Sequence, residues 1–192
     1  MSQLQNTFTC MGTSDHSDTE RVGNDYYTTD PLAIDLLEKY GLLKGGTYWE
    51  CACGNGKLSE QLKKYGYDVV SSDLYDYGYG TVGVDFLKCK DKFEGNILTN
   101  PPFRQSTEFI EKGLQLASKR LYIFGRLQLL ESQKRWKRIF RNAPPIWVCP
   151  FVKRIHCYPN NEPNLHRSAI SYAWFIWDKE DDSNETKVKW LI

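Results

Sequence analysis

The sequence lacks any long hydrophobic run. No apolar stretch approaches the ~20 residues that a membrane span requires, and residues 1–20 have neither a basic start nor an apolar segment typical of a secretion signal. We therefore expect a cytoplasmic protein that does not enter the membrane. With 192 residues, of which 41% are hydrophobic and 14% aromatic, the chain is long enough for one domain with a sizeable core and too apolar for bulk disorder.

Histidine is also scarce, at three residues, and the six cysteines do not form two pairs at the spacing of metal ligands. Cys51 and Cys53 make one Cys-x-Cys without a matching second pair. We expect no metal, and we expect reduced thiols, because nothing in the sequence indicates an oxidising compartment. The alternative, a zinc site, would need further ligands from Cys149, His156, Cys157 and His166.

Net charge is close to zero, at +1, but it is unevenly distributed. Residues 1–100 carry 9 basic against 15 acidic residues, whereas residues 101–192 carry 16 against 9. Residues 119–154 contain ten basic residues and one acid, Glu131, which favours a polyphosphate partner such as nucleic acid over a merely solvated helix face. The ten are Lys119, Arg120, Arg126, Lys134, Arg135, Lys137, Arg138, Arg141, Lys153 and Arg154.

Helical and strand patterns alternate through most of the chain, and this alternation predicts a parallel sheet covered by helices. The fold class we predict is α/β: a Rossmann-like, seven-stranded, mostly parallel, doubly wound sheet whose last strand is antiparallel. We expect residues 1–23 to form a flexible arm and residues 24–178 to form the folded domain. Residues 179–192 are expected to form a charged, frayed tail. Predicted helices are 30–40, 57–65, 106–119 and 129–141; predicted strands are 47–51, 68–72, 81–84, 96–99, 121–125, 145–149 and 169–177.

A glycine loop follows the first predicted strand, where backbone can approach a ligand closely. The loop lacks the third glycine of the dinucleotide fingerprint, and Glu50 before it favours an ammonium or sulfonium ligand over a phosphate. Asp73 ends the next strand, 17 positions beyond Gly56, and is placed either to accept hydrogen bonds from a ribose diol or to cap a turn. Asp85 could accept a hydrogen bond from an adenine amine, and Phe86 could stack on the adenine ring. An aspartate at a strand end is, however, also a common turn residue.

The sharpest motif is the run Asn100, Pro101, Pro102, Phe103, which ends a predicted strand. Two prolines make a rigid backbone without N–H donors, so its carbonyls must accept from a ligand or from water. The side-chain carbonyl of Asn100 and the backbone carbonyl of Pro101 can both accept from an amino group, while Phe103 can stack on a planar substrate. This arrangement suits an exocyclic amine.

Taken in order, Tyr27-Thr28-Thr29, residues 50–56 and residues 100–103 resemble the motifs of class I S-adenosylmethionine-dependent amino-methyltransferases. The chain looks close to phage and prophage adenine-specific DNA methyltransferases, and the resemblance covers approximately residues 24–178. It implies methyl transfer to the exocyclic amine of an adenine flipped out of DNA, in a bacterial or phage-infected cell. It implies that the cofactor-binding residues are Tyr27, Thr29, Glu50, Cys51, Gly54, Gly56, Asp73, Asp85, Phe86 and Asn100, and that Asn100, Pro101, Pro102 and Phe103 are catalytic.

Larger enzymes of this family carry an added DNA-recognition domain, whereas the resemblance leaves no segment of that size here, so we expect contacts to DNA to come from basic segments of the domain itself. Beside Phe103, the residues we predict to contact DNA are Lys134, Arg135, Arg138, Lys153 and Arg154. Two other acceptors remain open, an adenine in RNA and a protein glutamine amide, as does a catalytically silent partner that binds nucleic acid. Phenylalanine at position 103, where the glutamine enzymes more commonly have tyrosine, favours nucleic acid.

Overall fold

A computed structural model of the chain describes residues 27–159 and 170–192. The expected N-terminal arm, Cys10 and His166 lie outside these residues. Within them, no helix has the length and apolar character needed to cross a lipid bilayer. The strands are β1 Tyr27–Thr29, β2 Tyr48–Glu50, β3 Val69–Asp73, β4 Thr81–Val82, β5 Asn96–Thr99, β6 Arg120–Arg126, β7 Trp147–Pro150, β8 Cys157–Pro159, β9 Tyr172–Asp178 and β10 Lys187–Val188; the helices are α1 Leu32–Lys39, α2 Lys57–Lys64, α3 Ser106–Leu116 and α4 Gln133–Arg135.

Eight of these strands form one sheet in the order β10-β7-β9-β6-β5-β2-β3-β4. From β4 to β6 every neighbouring pair is parallel, and β9 is inserted antiparallel between β6 and β7. The predicted α/β fold with a mostly parallel sheet is therefore confirmed, including the antiparallel pairing of β7 with β9. The sheet has eight strands rather than the predicted seven.

The extra strand comes from the C-terminal tail, which we expected to be frayed. Instead, β10 pairs parallel with β7, and Leu191 beyond it is fully buried in the core. The prediction failed because the pairing depends on only two residues whose side chains are exposed, so the strand has no hydrophobic alternation in the sequence.

Two apolar layers cover the two faces of the sheet, as a doubly wound fold requires. One cluster contains residues of α1 and α2, and the other contains residues of α3. Successive residues of β6 face opposite layers, because side chains alternate along a strand: Leu121 and Ile123 belong to the α3 layer. Tyr122 and Phe124 belong to the other layer. The central strands are thus buried on both sides.

A second, two-stranded sheet was not predicted. It pairs β1 antiparallel with β8, so that Tyr27 lies opposite Pro159 and Thr29 opposite Cys157. Residue 157 lies between the strands predicted over 145–149 and 169–177, where we expected no strand. This small sheet matters for the site because β1 carries two of the residues predicted to bind the cofactor.

The predicted basic helix over 129–141 is shorter and less regular than expected. Residues Leu127–Leu130 form a 3₁₀ turn, Ser132 caps the start of α4 through the amide of Arg135, and Trp136–Phe140 continues α4 as a π-helix. The 3₁₀ turn follows directly from the end of β6, so the chain has to turn away from the sheet before a regular helix can begin.

Candidate active site

A cavity of about 550 Å³ opens at the carboxyl edge of the parallel strands. This size lies within the range of small-molecule sites, and the place is where doubly wound sheets bind ligands. Its lining comes from β1, the loop after β2, the end of β3, the turn at 85–88 and the segment after β5. The lining includes nine of the ten residues predicted to bind the cofactor: Tyr27, Thr29, Glu50, Cys51, Gly54, Asp73, Asp85, Phe86 and Asn100.

The tenth, Gly56, shapes the loop from behind. Its φ is +79°, a backbone conformation that favours glycine, and it caps the start of α2. A Cβ atom at this position would lie 2.4 Å from the ring of Tyr79. Gly56 therefore allows the loop to turn into α2 beneath the Tyr79 ring.

Glu50 ends β2 with its side chain almost fully enclosed, at 2% exposure. The carboxylate accepts hydrogen bonds from the amide of Ser59, at 2.9 Å, and from the Ser59 hydroxyl. Burial outweighs these bonds and, together with the charge of nearby Asp73, raises the pKa of Glu50 to about 8. A cationic ligand bound beside Glu50 would favour the ionised form of this side chain.

Asp73 is fixed by backbone donors on both of its oxygens. The amide of Gly54 donates to Oδ2 at 2.8 Å, and the amide of Tyr75 donates to Oδ1 at 3.0 Å. Each carboxylate oxygen can accept a second bond, so the side chain retains capacity for a hydroxyl ligand. Both expectations for this residue, turn cap and hydrogen-bond acceptor at the cavity, are compatible with this geometry.

Asp85 and Phe86 lie together on the opposite side of the cavity. Asp85 accepts from the amide of Leu87 at 3.1 Å and pairs with Lys88 at 2.9 Å, and the hydrogen bond from Lys88 lowers the pKa of Asp85. Phe86 is buried, with its ring stacked on Phe109 at a centroid distance of 5.0 Å. The aspartate therefore caps a turn, and the phenylalanine belongs to the core while also lining the cavity.

Asn100 follows β5 at the centre of the site. Its Nδ2 donates to Oγ1 of Thr29 at 2.8 Å and to the backbone carbonyl of Tyr27 at 3.3 Å. A carbonyl can only accept, so this contact determines which way the amide is turned. The remaining atom, Oδ1, is buried and has no hydrogen-bond partner among the described residues. The β1 strand thus orients an amide whose acceptor is left unused.

Phe103 does not line the cavity, contrary to what a direct stacking role would require. Its ring lies in a protein cluster, 5.1 Å from the ring of Tyr27 and 5.9 Å from that of Tyr172, with the guanidinium carbon of Arg126 at 4.7 Å. The Nε of Arg126 is buried with no hydrogen-bond partner in the described chain. Tyr27, which does line the cavity, is the aromatic side chain next to Asn100 that a ligand can reach.

Sequence reasoning missed several residues of the lining. Tyr75 and Tyr77 lie on the loop after β3, with ring centroids 6.4 Å apart. The cluster of tyrosines at 75, 77 and 79 was the available signal, since aromatic residues directly after a strand-end aspartate at this edge are placed to contact a planar ligand.

Arg135 and Arg138, both predicted to contact DNA, are held by partners within the described residues. Arg135 donates to three backbone carbonyls, those of residues 128, 129 and 131, and so holds the 3₁₀ turn. Arg138 bonds Glu111 at 2.8 Å and lies 3.6 Å from Glu108, which joins α4 to α3. Lys134, Lys153 and Arg154 are exposed.

Residues 27–159 and 170–192 contain no cluster of three or more histidine, cysteine or acidic side chains arranged to hold a metal ion. Cys51, Cys53 and Cys149 are buried thiols. Burial raises the pKa of Cys53 and of Cys149 to about 12, which keeps them protonated and unreactive. His166, one of the candidate ligands of the zinc alternative, lies outside the described residues.

No family model and no curated protein sequence matches this chain. Solved structures do match its fold. A protein of Pyrococcus horikoshii described as an RNA methyltransferase is 12% identical with a TM-score of 0.53, over 77% of this chain and 82% of the other. Magnesium protoporphyrin IX methyltransferase of Synechocystis, crystallised with S-adenosylmethionine, is 16% identical with a TM-score of 0.50, over 77% and 76%.

A Vibrio vulnificus protein described as the modification subunit of a type I restriction enzyme is 13% identical with a TM-score of 0.56. The match covers 86% of this chain but only 47% of that one. These likenesses show that the chain has the class I methyltransferase fold. They span different substrates, so the fold by itself does not select one.

Proposed function

We propose that the protein is an S-adenosylmethionine-dependent methyltransferase that methylates the exocyclic amino group of adenine in DNA. The observation that carries the proposal is the amide of Asn100. Its Nδ2 is committed to β1, while its Oδ1, on the side chain that lines the cavity, has no partner among the described residues. An amide held in this way is suited to accept a hydrogen bond from an amine.

The cavity fits the cofactor in volume and in the chemistry of its lining. Asp73 has acceptor capacity left for a ribose diol, and Glu50 provides a buried carboxyl group for a cationic ligand. Asp85 and the edge of Phe86 border the opposite side, where an adenine ring would lie. S-adenosylmethionine, when bound, supplies an electrophilic methyl group on a sulfonium.

The acceptor amine has to be activated, because its lone pair is delocalised into the purine ring. Hydrogen bonds from the amine to Oδ1 of Asn100 and to the carbonyl of Pro101 localise that lone pair on nitrogen. The double-proline backbone keeps these two acceptors at a fixed separation. No strong base is required, because the amine becomes acidic once it has been methylated.

Stacking of the flipped base is assigned to Tyr27 rather than to Phe103 directly. Tyr27 lines the cavity, and the ring of Phe103, which does not, packs against the Tyr27 ring and the guanidinium of Arg126. Phe103 thus positions the aromatic wall that the base meets. A planar acceptor with an amino group, such as adenine, suits this wall better than the flexible side chain of a glutamine does.

The charge of the C-terminal half supports a nucleic acid rather than a protein as the acceptor. Residues 119–154 carry ten basic residues and one acid, and Lys134, Lys153 and Arg154 are exposed within this stretch. The structural neighbour described as a restriction-modification subunit provides an analogy for DNA, although this chain corresponds to less than half of it.

Cofactor affinity should rise with pH because of Glu50. Its raised pKa of about 8 means that a cationic ligand binding below this pH must displace a proton, whereas above it the carboxylate is already formed. We expect the dissociation constant to fall by up to about tenfold per pH unit below pH 8 and to level off above it. Calorimetric titration with S-adenosylmethionine across this range measures the effect.

Glu50→Gln is the matched control for this pH dependence. The glutamine can still accept from Ser59 but cannot titrate, so its affinity should be weaker and independent of pH. A wild-type affinity that does not change with pH would show that Glu50 does not face the cationic part of the ligand.

The acceptor is tested directly by transfer of a tritiated methyl group from S-adenosylmethionine. Unmethylated duplex DNA, single-stranded DNA, RNA and a protein extract are incubated separately, and labelled nucleosides or residues are identified. We expect label in N6-methyladenine of DNA. Label in RNA or in protein alone would show that the acceptor is not DNA. No label in any sample, despite cofactor binding, would overturn the proposal that the protein is an enzyme.

A further inference from the structure

Trp136 is an exposed aromatic residue on the basic segment. Its side chain is 52% exposed, and Lys134, Lys137 and Arg141 around it in the sequence are exposed as well. An indole exposed among cations presents an aromatic ring and positive charge together, the two features that base stacking and phosphate contact require. Trp190, at the C-terminus, is the other tryptophan with more than half of its surface exposed.

The π-helix pairs this indole with an arginine. The amide of Arg141 donates to the carbonyl of Trp136 at 2.9 Å, a bond that spans five residues, and the guanidinium carbon of Arg141 lies 5.9 Å from the Trp136 ring centroid. In an α-helix of 3.6 residues per turn these two positions would point about 140° apart. The wider π turn brings them to one face, and such turns occur frequently at functional sites.

The other two arginines of this segment have no part in the surface. Arg135 is committed to backbone carbonyls of its own turn, and Arg138 to Glu108 and Glu111. Lys134, Lys137 and Arg141 form no ion pair within residues 27–159 and 170–192. The Trp136 surface, defined as Lys134, Trp136, Lys137 and Arg141, is therefore apolar at one residue and positively charged at three.

This surface lies one helix away from the cavity. The pairs of Arg138 with Glu108 and Glu111 place α4 beside the first turns of α3. The segment directly before α3 includes Gln105, which lines the cavity. The Trp136 surface therefore belongs to a segment that packs against the helix following the cavity-lining residue Gln105.

We propose that the Trp136 surface binds an unpaired nucleotide of the DNA strand that carries the target adenine. The base stacks on the indole, and the neighbouring phosphates are contacted by the three cations. The base must be unpaired, because a duplex hides the faces of its bases. This inference rests on the proposed function and adds to it that single-stranded or locally opened DNA is the preferred substrate.

Trp136→Ala tests the inference, with Trp190→Ala as the matched control, since Trp190 is 60% exposed but lies near β10. Binding of a fluorescein-labelled oligonucleotide is measured for single-stranded DNA, the same sequence as duplex, and the same sequence as RNA. We expect Trp136→Ala to weaken single-stranded DNA binding by about tenfold and Trp190→Ala to change it by less than about twofold. Binding to duplex should change little in either variant.

Cofactor affinity and methyl transfer are measured on the same samples to separate the two proposals. If wild type methylates DNA but Trp136→Ala binds single strands as wild type does, the inference is overturned and the proposed function stands. Equal losses in both variants, an equal loss on duplex, or a larger loss on RNA than on DNA would also overturn it. If wild type binds and methylates no nucleic acid, both proposals fail.

Discussion

Asn100→Ala should lower the turnover number for methyl transfer by about 100- to 1000-fold while changing cofactor affinity by less than about threefold. The variant removes Oδ1, the unpartnered acceptor that we assign to the target amine. An interaction made with the reacting nitrogen contributes mainly in the transition state, so the loss should fall on turnover rather than on binding. Single-turnover transfer from tritiated S-adenosylmethionine, together with calorimetric binding, measures the two effects.

Thr29→Val separates the role of Oδ1 from that of the amide nitrogen. Alanine at position 100 also removes the bonds from Nδ2 to Thr29 and to the carbonyl of Tyr27, which would loosen β1. Valine at position 29 removes one of those bonds and leaves Oδ1 in place, so we expect a loss of only about fivefold in turnover. If turnover falls equally in Asn100→Ala and Thr29→Val, the role of Asn100 is only to hold β1. A loss of cofactor binding in Asn100→Ala would contradict its assignment to the target amine.

Asp73→Ala should weaken S-adenosylmethionine binding by about 100-fold. The carboxylate is the strand-end acceptor that we assign to the ribose diol, and two charge-assisted hydrogen bonds are of this magnitude. The variant also leaves the amides of Gly54 and Tyr75 without their partner, so the free energy of unfolding should fall by about 1 to 3 kcal/mol. Calorimetry and urea denaturation measure the two quantities independently.

Asp73→Asn is the control that separates loop support from ligand binding. Its side-chain oxygen can still accept from one of the two amides, so part of the stability should return while affinity remains reduced. Asp85→Ala removes a third acidic side chain of the cavity, which pairs with Lys88 and is more exposed than Asp73, and should lower the affinity about tenfold. If Asp73→Ala binds the cofactor as wild type does, the ribose assignment is wrong.

The parts of the fold that depend on local chemistry could be predicted from the sequence. Helix α1 begins where expected because the Asp30 carboxylate accepts from the amide of Leu32 and Pro31 lies directly before the helix. Asp73 and Asn100 could be assigned to one site because parallel strands place their carboxyl ends at the same edge. The order of the strands is sufficient to predict that Asp73 and Asn100 line the same cavity.

Other features depend on contacts between distant residues, which leave no local pattern. The pairing of β1 with β8 joins segments about 130 residues apart, and β10 adds an eighth strand through two exposed residues. The motif predicts that Phe103 stacks on the substrate. In the fold, its ring is instead packed against Tyr27, Tyr172 and Arg126, which are distant in sequence. The sequence of the basic segment likewise suggests a uniformly charged surface, but Arg135 and Arg138 form hydrogen bonds and ion pairs with other parts of the fold.

The small β1–β8 sheet also has a consequence for synthesis on the ribosome. The Asn100 amide is oriented by residues of β1, yet the only strand that β1 pairs with within the described residues belongs to a segment emerging long after Asn100. The central strand β6 likewise lacks one neighbour until β9 has been translated. A nascent chain therefore contains every residue of the glycine loop and the double-proline motif before it can assemble them, and the site becomes competent only after β8 and β9 have been translated.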